Sequence, residues 1–356
     1  MKKTVLFLVI LAVSFAFAQA QTLDETLESL SGQAAESYVA PIVSAFGTNL
    51  NGVWFHRAPK NDFFGLNVEF GVVFMASMFP ADDKSFNATG SFQFTATQAG
   101  AILANSGINS GDLGYNELVN AIVSQDIEIG IHGATIIGDP DEHVMIESPQ
   151  QTITVDVAGN PLAFDIASYG VDSGIGGLVE MDMLPLAAPQ LKIGTIFGTK
   201  ATFRYLPPYK IPDLGEFKYF GFGIQHNPKA WLKAPIPFQI CLSYFTQTMS
   251  LGKAVTATST AFGINASKTF GFKFLSITPY AGYMLESSNM IFKYTYEIGD
   301  VNGVPAEPLD VKFDIDGKNK NRLTLGATFR LGVFNINADY NIGKYDSMTA
   351  GFAIGF

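Results

Sequence analysis

Between Phe334 and Ile342 apolar and polar residues alternate without an exception. Phe334, Ile336, Ala338, Tyr340 and Ile342 fall on one side of an extended chain, and Asn335, Asn337, Asp339 and Asn341 on the other. A period of two belongs to a strand, and a strand of this kind has one greasy and one wet face. After the short polar link from Gly343 to Asp346 the rhythm resumes, with Met348, Ala350, Phe352, Ile354 and Phe356 set against Thr349, Gly351, Ala353 and Gly355.

The same rule governs distant segments. Leu323, Leu325, Ala327, Phe329 and Leu331 oppose Thr324, Gly326, Thr328 and Arg330; Phe220, Phe222 and Ile224 oppose Tyr219, Gly221, Gly223 and Gln225; Leu66, Val68, Phe70, Val72 and Phe74 oppose Asn67, Glu69 and Gly71. A water-soluble antiparallel sheet also alternates. The polar partners separate the two cases: here they are mostly Asn, Thr, Ser, Gly and Gln, the residues of a barrel lumen, whereas a face open to solvent would carry Lys and Glu. Composition agrees, since 47% of the chain is hydrophobic and only 15% charged, against roughly 25% charged in a soluble domain. Beyond the first twenty residues no apolar run reaches the roughly 18 residues of a membrane helix. The expected fold is therefore an all-β, transmembrane, antiparallel up-and-down β-barrel with a short N-terminal helical segment.

Counting back from the C-terminus places strands near 348–356, 334–345, 309–331, 273–298, 254–268, 237–250, 217–227, 199–207 and 186–196, with further candidates at 48–57, 64–79, 86–95, 127–137 and 150–157. The total is about 14, with 12 to 16 allowed by the even-number tendency. Asp316-Gly317 and Glu286 to Asn289 are possible hairpin turns that would add two strands. Tight links at Phe197–Lys200, Phe270–Phe272 and Leu331–Val333 alternate with longer ones at Pro207–Glu216 and Gly299–Pro308, as short periplasmic turns alternate with external loops; the tight Gly343–Asp346 link is an exception. Two stretches carry helical spacing instead: Leu23 to Phe46, interrupted at Pro41, and 95–125, where Ala99–Ala104 and Glu117–Val123 stand out. Asn227 to Trp231 reads as a brief helical turn.

The N-terminus reads as an export signal: Lys2 and Lys3, an apolar run from Thr4 to Phe15, then Ala16-Phe17-Ala18 or Ala18-Gln19-Ala20 for cleavage. The expected organisation is a signal at 1–20, a helical periplasmic or plug segment at 21–47, and an outer-membrane barrel over 48–356 with a partly helical excursion near 95–126. A net charge of −10 and the lack of a basic cluster exclude nucleic acid as a partner. The single cysteine, Cys241, allows no internal disulfide.

Thr349-Ala-Gly-Phe-Ala-Ile-Gly-Phe356 resembles the C-terminal β-signal of bacterial outer-membrane proteins, polar at the first slot, Gly at the third and aromatic at the last. The resemblance implies that Thr349, Gly351, Ile354 and Phe356 are read by the barrel-assembly machinery. Tyr38 to Trp54, Pro189 to Thr195, Arg204 to Pro207 and Gly221 to His226 resemble an uncharacterised family of outer-membrane barrel proteins of Bacteroidetes-type bacteria, a domain of unknown function. That likeness implies a location and no activity. In barrel size and N-terminal helix the chain is also distantly similar to the long-chain fatty-acid transporter family, and no binding residues are carried over from it.

His56, His132, His143 and His226 lack the spacing of a zinc site and read as loop or interfacial histidines, His226 marking a strand end. Asp314-Ile-Asp316-Gly317-Lys-Asn319 lacks the sixth-position Gly and twelfth-position Glu of a calcium loop and reads as a polar external hairpin. No G-x-S-x-G occurs, so no enzyme, metal or cofactor is expected. The lumen carries what site there is: Glu69, Lys192, Arg204, Gln225, Arg330, Asn335, Asn337, Asp339 and Asn341 are expected to point inward, with Asn67, Tyr219 and Gln239 beside them. Arg204 or Arg330 against Glu69 or Asp339 is the expected ion pairing. These residues either select a solute or fill a closed barrel. The expected function is a passive conduit or uptake channel for small or amphipathic molecules; the alternative is a non-conducting structural or surface-interaction barrel with a plugged lumen, and a lipid-modifying enzyme or protease ranks lower. Outer-membrane lipid is the other expected partner.

Overall fold

A computed structural model describes residues 32–60, 64–92, 96–124, 127–157, 160–179, 181–211, 215–232, 235–272, 274–296 and 309–355. Helix α1 (Gly32–Asn51) precedes β1 (Phe64–Met78). Then come β2 (Ser85–Phe92), helices α2 (Ala96–Asn105) and α3 (Tyr115–Ser124), β3 (Ile127–Ala134), β4 (Met145–Ser148), β5 (Gln151–Val157), β6 (Asn160–Ile166) and β7 (Tyr169–Asp172). The rest is strand: β8 (Met183–Ile196), β9 (Thr199–Ile211), β10 (Gly215–His226), β11 (Gln239–Leu251), β12 (Val255–Ser267), the two-residue β13 (Phe270–Gly271), β14 (Leu275–Tyr296), β15 (Leu309–Asp316), β16 (Asn321–Leu331), β17 (Phe334–Ile342) and β18 (Ser347–Gly355). The export signal lies outside the described residues.

The chain divides into two units, with the boundary inside α1: Ala40–Ala81 with Met181–Phe356, and Thr22–Val39 with Asp82–Glu180. In the first, ten antiparallel strands run β12-β11-β10-β9-β8-β1-β18-β17-β16-β14, and the β12–β14 pairing closes the ring. The ring is closed strand to strand, but β8 and β9 pair only between Gln190–Ile196 and Thr199–Arg204, so the facing edges of residues 183–189 and 205–211 share no ladder bonds. β13 and β15 lie outside that ring, both on β14.

The nine C-terminal strand positions and 64–79 supply the ring, and the count of about 14 does not stand. The other four candidates go elsewhere: 48–57 is the end of α1 and the loop after it, while 86–95, 127–137 and 150–157 fall on β2, β3 and β5 of the second unit. Alternation reports a half-buried sheet and is blind to which sheet it belongs to. Neither candidate hairpin turn is one. β14 runs unbroken through Glu286 to Asn289, and β15 and β16 both pair antiparallel to β14, meeting its residues 289–296 and 275–285 in turn. They are one strand interrupted at 317–320, where Gly317 N donates to Ser288 O at 2.9 Å and Glu286 N to Lys320 O at 2.8 Å.

One mouth of the barrel is where β1 begins and β18 ends; the other is where β1 ends and β8 begins. At the first mouth the links at Phe197-Gly198 and Gly332-Val333 take two residues each, with Gly198 and Gly332 at positive φ. The expected length asymmetry has exceptions, because β9 continues through Pro207 and Pro208 to Ile211 and the β10–β11 link is at this same mouth, although the much longer β1–β8 connection belongs to the other. There Asn227 caps a short 3-10 turn, Pro228–Ala230, accepting from Lys229 N.

In the second unit β2, β3, β4 and β7 form a sheet in that order and β5 pairs with β6. Ala99, Ile102 and Leu103 of α2 and Leu118 and Ile122 of α3 are buried, the two helical stretches having been legible by spacing. Tyr38 on α1 donates to Gly176 O at 2.9 Å and accepts from Ile136 N through its carbonyl at 3.0 Å.

Candidate functional site

The pleat sorts the barrel's residues as their pattern requires. Along β17 exposure alternates at every step, Phe334, Ile336, Ala338, Tyr340 and Ile342 outward and the four polar residues inward. Phe70, Phe74, Phe220, Ile224, Leu323, Leu325, Phe329, Met348 and Phe352 join the outer belt. No helix among the described residues is long and apolar enough to cross a membrane.

The lumen is filled. Residues 40–60 enter where β1 ends and leave where β1 begins, as their contacts show in order. Ser44 Oγ accepts from Lys318 N at 3.2 Å and Asn49 Nδ2 donates to Leu184 O at 2.6 Å near the first of these ends; Asn227 Nδ2 donates to Pro59 O at 2.7 Å at the second. Past α1 this segment has no regular structure, so its carbonyls need partners from elsewhere. The wall supplies them. Arg204 donates to Leu50 O at 3.2 Å and to Gly52 O at 2.5 Å, Gln247 donates to Leu50 O, and Arg322 to Asn51 O at 2.7 Å. Thr328 donates to His56 O at 2.8 Å and Lys200 to Arg57 O at 3.2 Å.

Trp54 anchors the middle. Its ring stacks on Phe245 with centroids 5.2 Å apart, and the Arg204 guanidinium lies 4.0 Å above it. Gly221 and Gly223, neighbours on the inner face of β10, make the room: a Cβ on either would stand 2.8 and 3.1 Å from the indole. Below, Phe55 meets Tyr280 edge-on at 5.4 Å.

The expected ion pairing does not occur. Arg204 is taken by the plug, Trp54 and Gln190 Oε1 (3.0 Å), and Arg330 turns back to Gly332 O at 2.9 Å. Glu69 instead holds two plug residues: its Oε2 lies 2.9 Å from His56 Nε2, and its Oε1 accepts from Arg57. Asp339 accepts from Tyr280 (2.8 Å), Asn341 (2.7 Å) and Thr349. The pairing missed the segment that lies between the walls. His56, expected in a loop or at the interface, is buried in the lumen, and no local spacing marked it. A further buried pair, Arg322 with Glu286 at 3.1 Å, was also missed.

Lys192, Gln225, Asn335, Asn337 and Asn341 are buried with Tyr219, while Asn67 and Gln239 are half-buried. Gln225 Nε2 lies 3.4 Å from Ser243 Oγ, and Asn341 accepts from Thr324 at 2.6 Å. Thr349 and Gly351 face inward, Ile354 is half-exposed, and Phe356 lies outside the described residues. Among the described residues, small cavities of about 10 Å³ lie under Trp54 and beside Lys192; each has room for about one water. No group of three or more potential metal ligands exists among the described residues. In the second unit His143 lies 3.0 Å from Asp172, whose carboxyl is held below the ordinary range by the Gly174 N–H and then by His143.

A search of curated proteins found no match. Among solved structures the chain is similar to OmpT, an outer membrane protein of Vibrio cholerae, at 12% identity over 82% of this chain and 100% of that one, with a TM-score of 0.24. It is similar to the β domain of the Bordetella autotransporter BrkA, at 11% identity over 82% and 100% of the two chains, TM-score 0.20. The translocator domain of NalP from Neisseria meningitidis is similar at 10% identity over 91% and 98%, TM-score 0.20. Scores this low leave the fold to rest on the chain's own sheet. By sequence the assignment is direct: the model of a family of unknown function (DUF6588) matches residues 1–356, and the chain belongs to that family.

Proposed function

We propose that the chain is an outer-membrane β-barrel held shut by its own residues 40–60, a non-conducting structural or surface-interaction barrel. The observation that carries this is the row of plug carbonyls, at Leu50, Asn51, Gly52, His56, Arg57 and Pro59, each bound by a side chain of the wall. A water-filled pore would leave those wall donors to solvent. The membrane part of the reading rests on the outward apolar belt around a ring of strands whose two ends pair with each other, the arrangement that suits hydrocarbon. Lipid is then the partner of the belt. Thr349, Gly351, Ile354 and Phe356 would serve the assembly machinery, and neither a cofactor nor a catalytic step is called for.

The test is electrical. Full-length protein in planar bilayers should be silent, and a chain lacking residues 40–60 should give stepwise conductance, because no wall strand pairs through the plug. Steady conductance from the full-length protein would instead restore the passive conduit for small or amphipathic molecules.

A further inference from the structure

We propose that the cavity beside Lys192 binds one small monovalent inorganic anion of halide size. The inference rests on the plugged reading, because the plug residues His56 and Arg57 complete the site.

Its charges do not balance. Glu69, Lys192 and Lys200 are buried in the wall and Arg57 comes from the plug, so three basic side chains surround one carboxylate. Both oxygens of that carboxylate are engaged, one by His56 and one by Arg57. Lys200 is turned to the Arg57 carbonyl. Lys192 stands directly across from Glu69 in the β1–β8 register, is 5% exposed, and has no hydrogen-bond or ion-pair partner among the described residues. A buried amine left in this way either gives up its proton or keeps it with something small and negative beside it.

The cavity is where such a partner fits. Its lining includes Lys192, Gln190, His56, Asn337 and Glu69, the last with both carboxylate oxygens already held by His56 and Arg57. The Asn337 amide nitrogen is buried with no hydrogen-bond partner, and so is the hydroxyl of Thr202, paired with Lys192 across β8–β9. Unused donors outnumber unused acceptors on this wall, which suits an ion that only accepts. The space of about 10 Å³ admits a single water-sized sphere, and this excludes phosphate and organic carboxylates.

The full-length protein in detergent micelles tests the idea. At equal ionic strength, sodium chloride should raise the Tm by about 2–4 °C over sodium gluconate, whose anion is too large, and sodium bromide should match chloride. Crystals grown with bromide should give an anomalous peak within hydrogen-bond reach of Lys192 Nζ, and Lys192→Met should erase both effects. Equal Tm in chloride and gluconate for the unmodified protein, with no bromide peak, overturns the proposal even if Lys192→Met does not fold. Planar-bilayer conductance is read separately, so failure of the plug and failure of the anion site are told apart.

Discussion

Arg204 and Trp54 are the residues on which the plug turns. Arg204→Met keeps the length and apolar stem but strips the donors from Leu50 O and Gly52 O, each loss about 1–3 kcal/mol. Brief openings in planar bilayers should appear where the parent is silent. Trp54→Ala removes the stacked centre and should destabilise the fold by about 3–5 kcal/mol, read as a lower urea midpoint. Gly221→Val drives a side chain into the indole, and the same openings should follow without loss of any donor. Alternation alone placed Arg204 inside, since the inward side of a strand is a local property. Its plug partners, Leu50 O and Gly52 O, were hidden, because they lie more than 150 positions away. One local clue did exist: Gly221 and Gly223 leave two Cβ-less steps on one inner face, a slot for a large ring.

At the scale of the element, the outer belt makes a claim about the solvent it meets. Leu325 sits midway along β16, half exposed, between Ala281 and Tyr340 on the neighbouring strands. Leu325→Arg should cost about 2–4 kcal/mol in a bilayer, measured by urea unfolding of protein in lipid vesicles. A change within about 0.5 kcal/mol, the usual size at a watery surface, would remove hydrocarbon from the account. The C-terminal strands were legible because nine or more consecutive residues kept strict phase. The interruption at 317–320 was not, since Asp316-Gly317 carries the composition of a hairpin turn while the chain in fact continues in the same direction. What decides between them is pairing with β14, and pairing is not written in either strand.

The whole molecule is a threaded object. Residues 40–60 pass from one mouth to the other before the chain turns into β1, so the wall has to close around a segment already in place. Wall donors to that segment come from β9, β11 and β16 and from the ends of the ring, which ties plug and barrel into one cooperative body. The chain has two tryptophans, Trp54 and Trp231. In a Trp231→Phe variant, fluorescence would report the plug alone, while the shift in gel mobility of the folded barrel reports the wall. Both transitions should fall at the same urea concentration. If Trp54 emerged at a distinctly lower concentration with the barrel intact, the plug would be a separately removable stopper, and the lumen would be built to open.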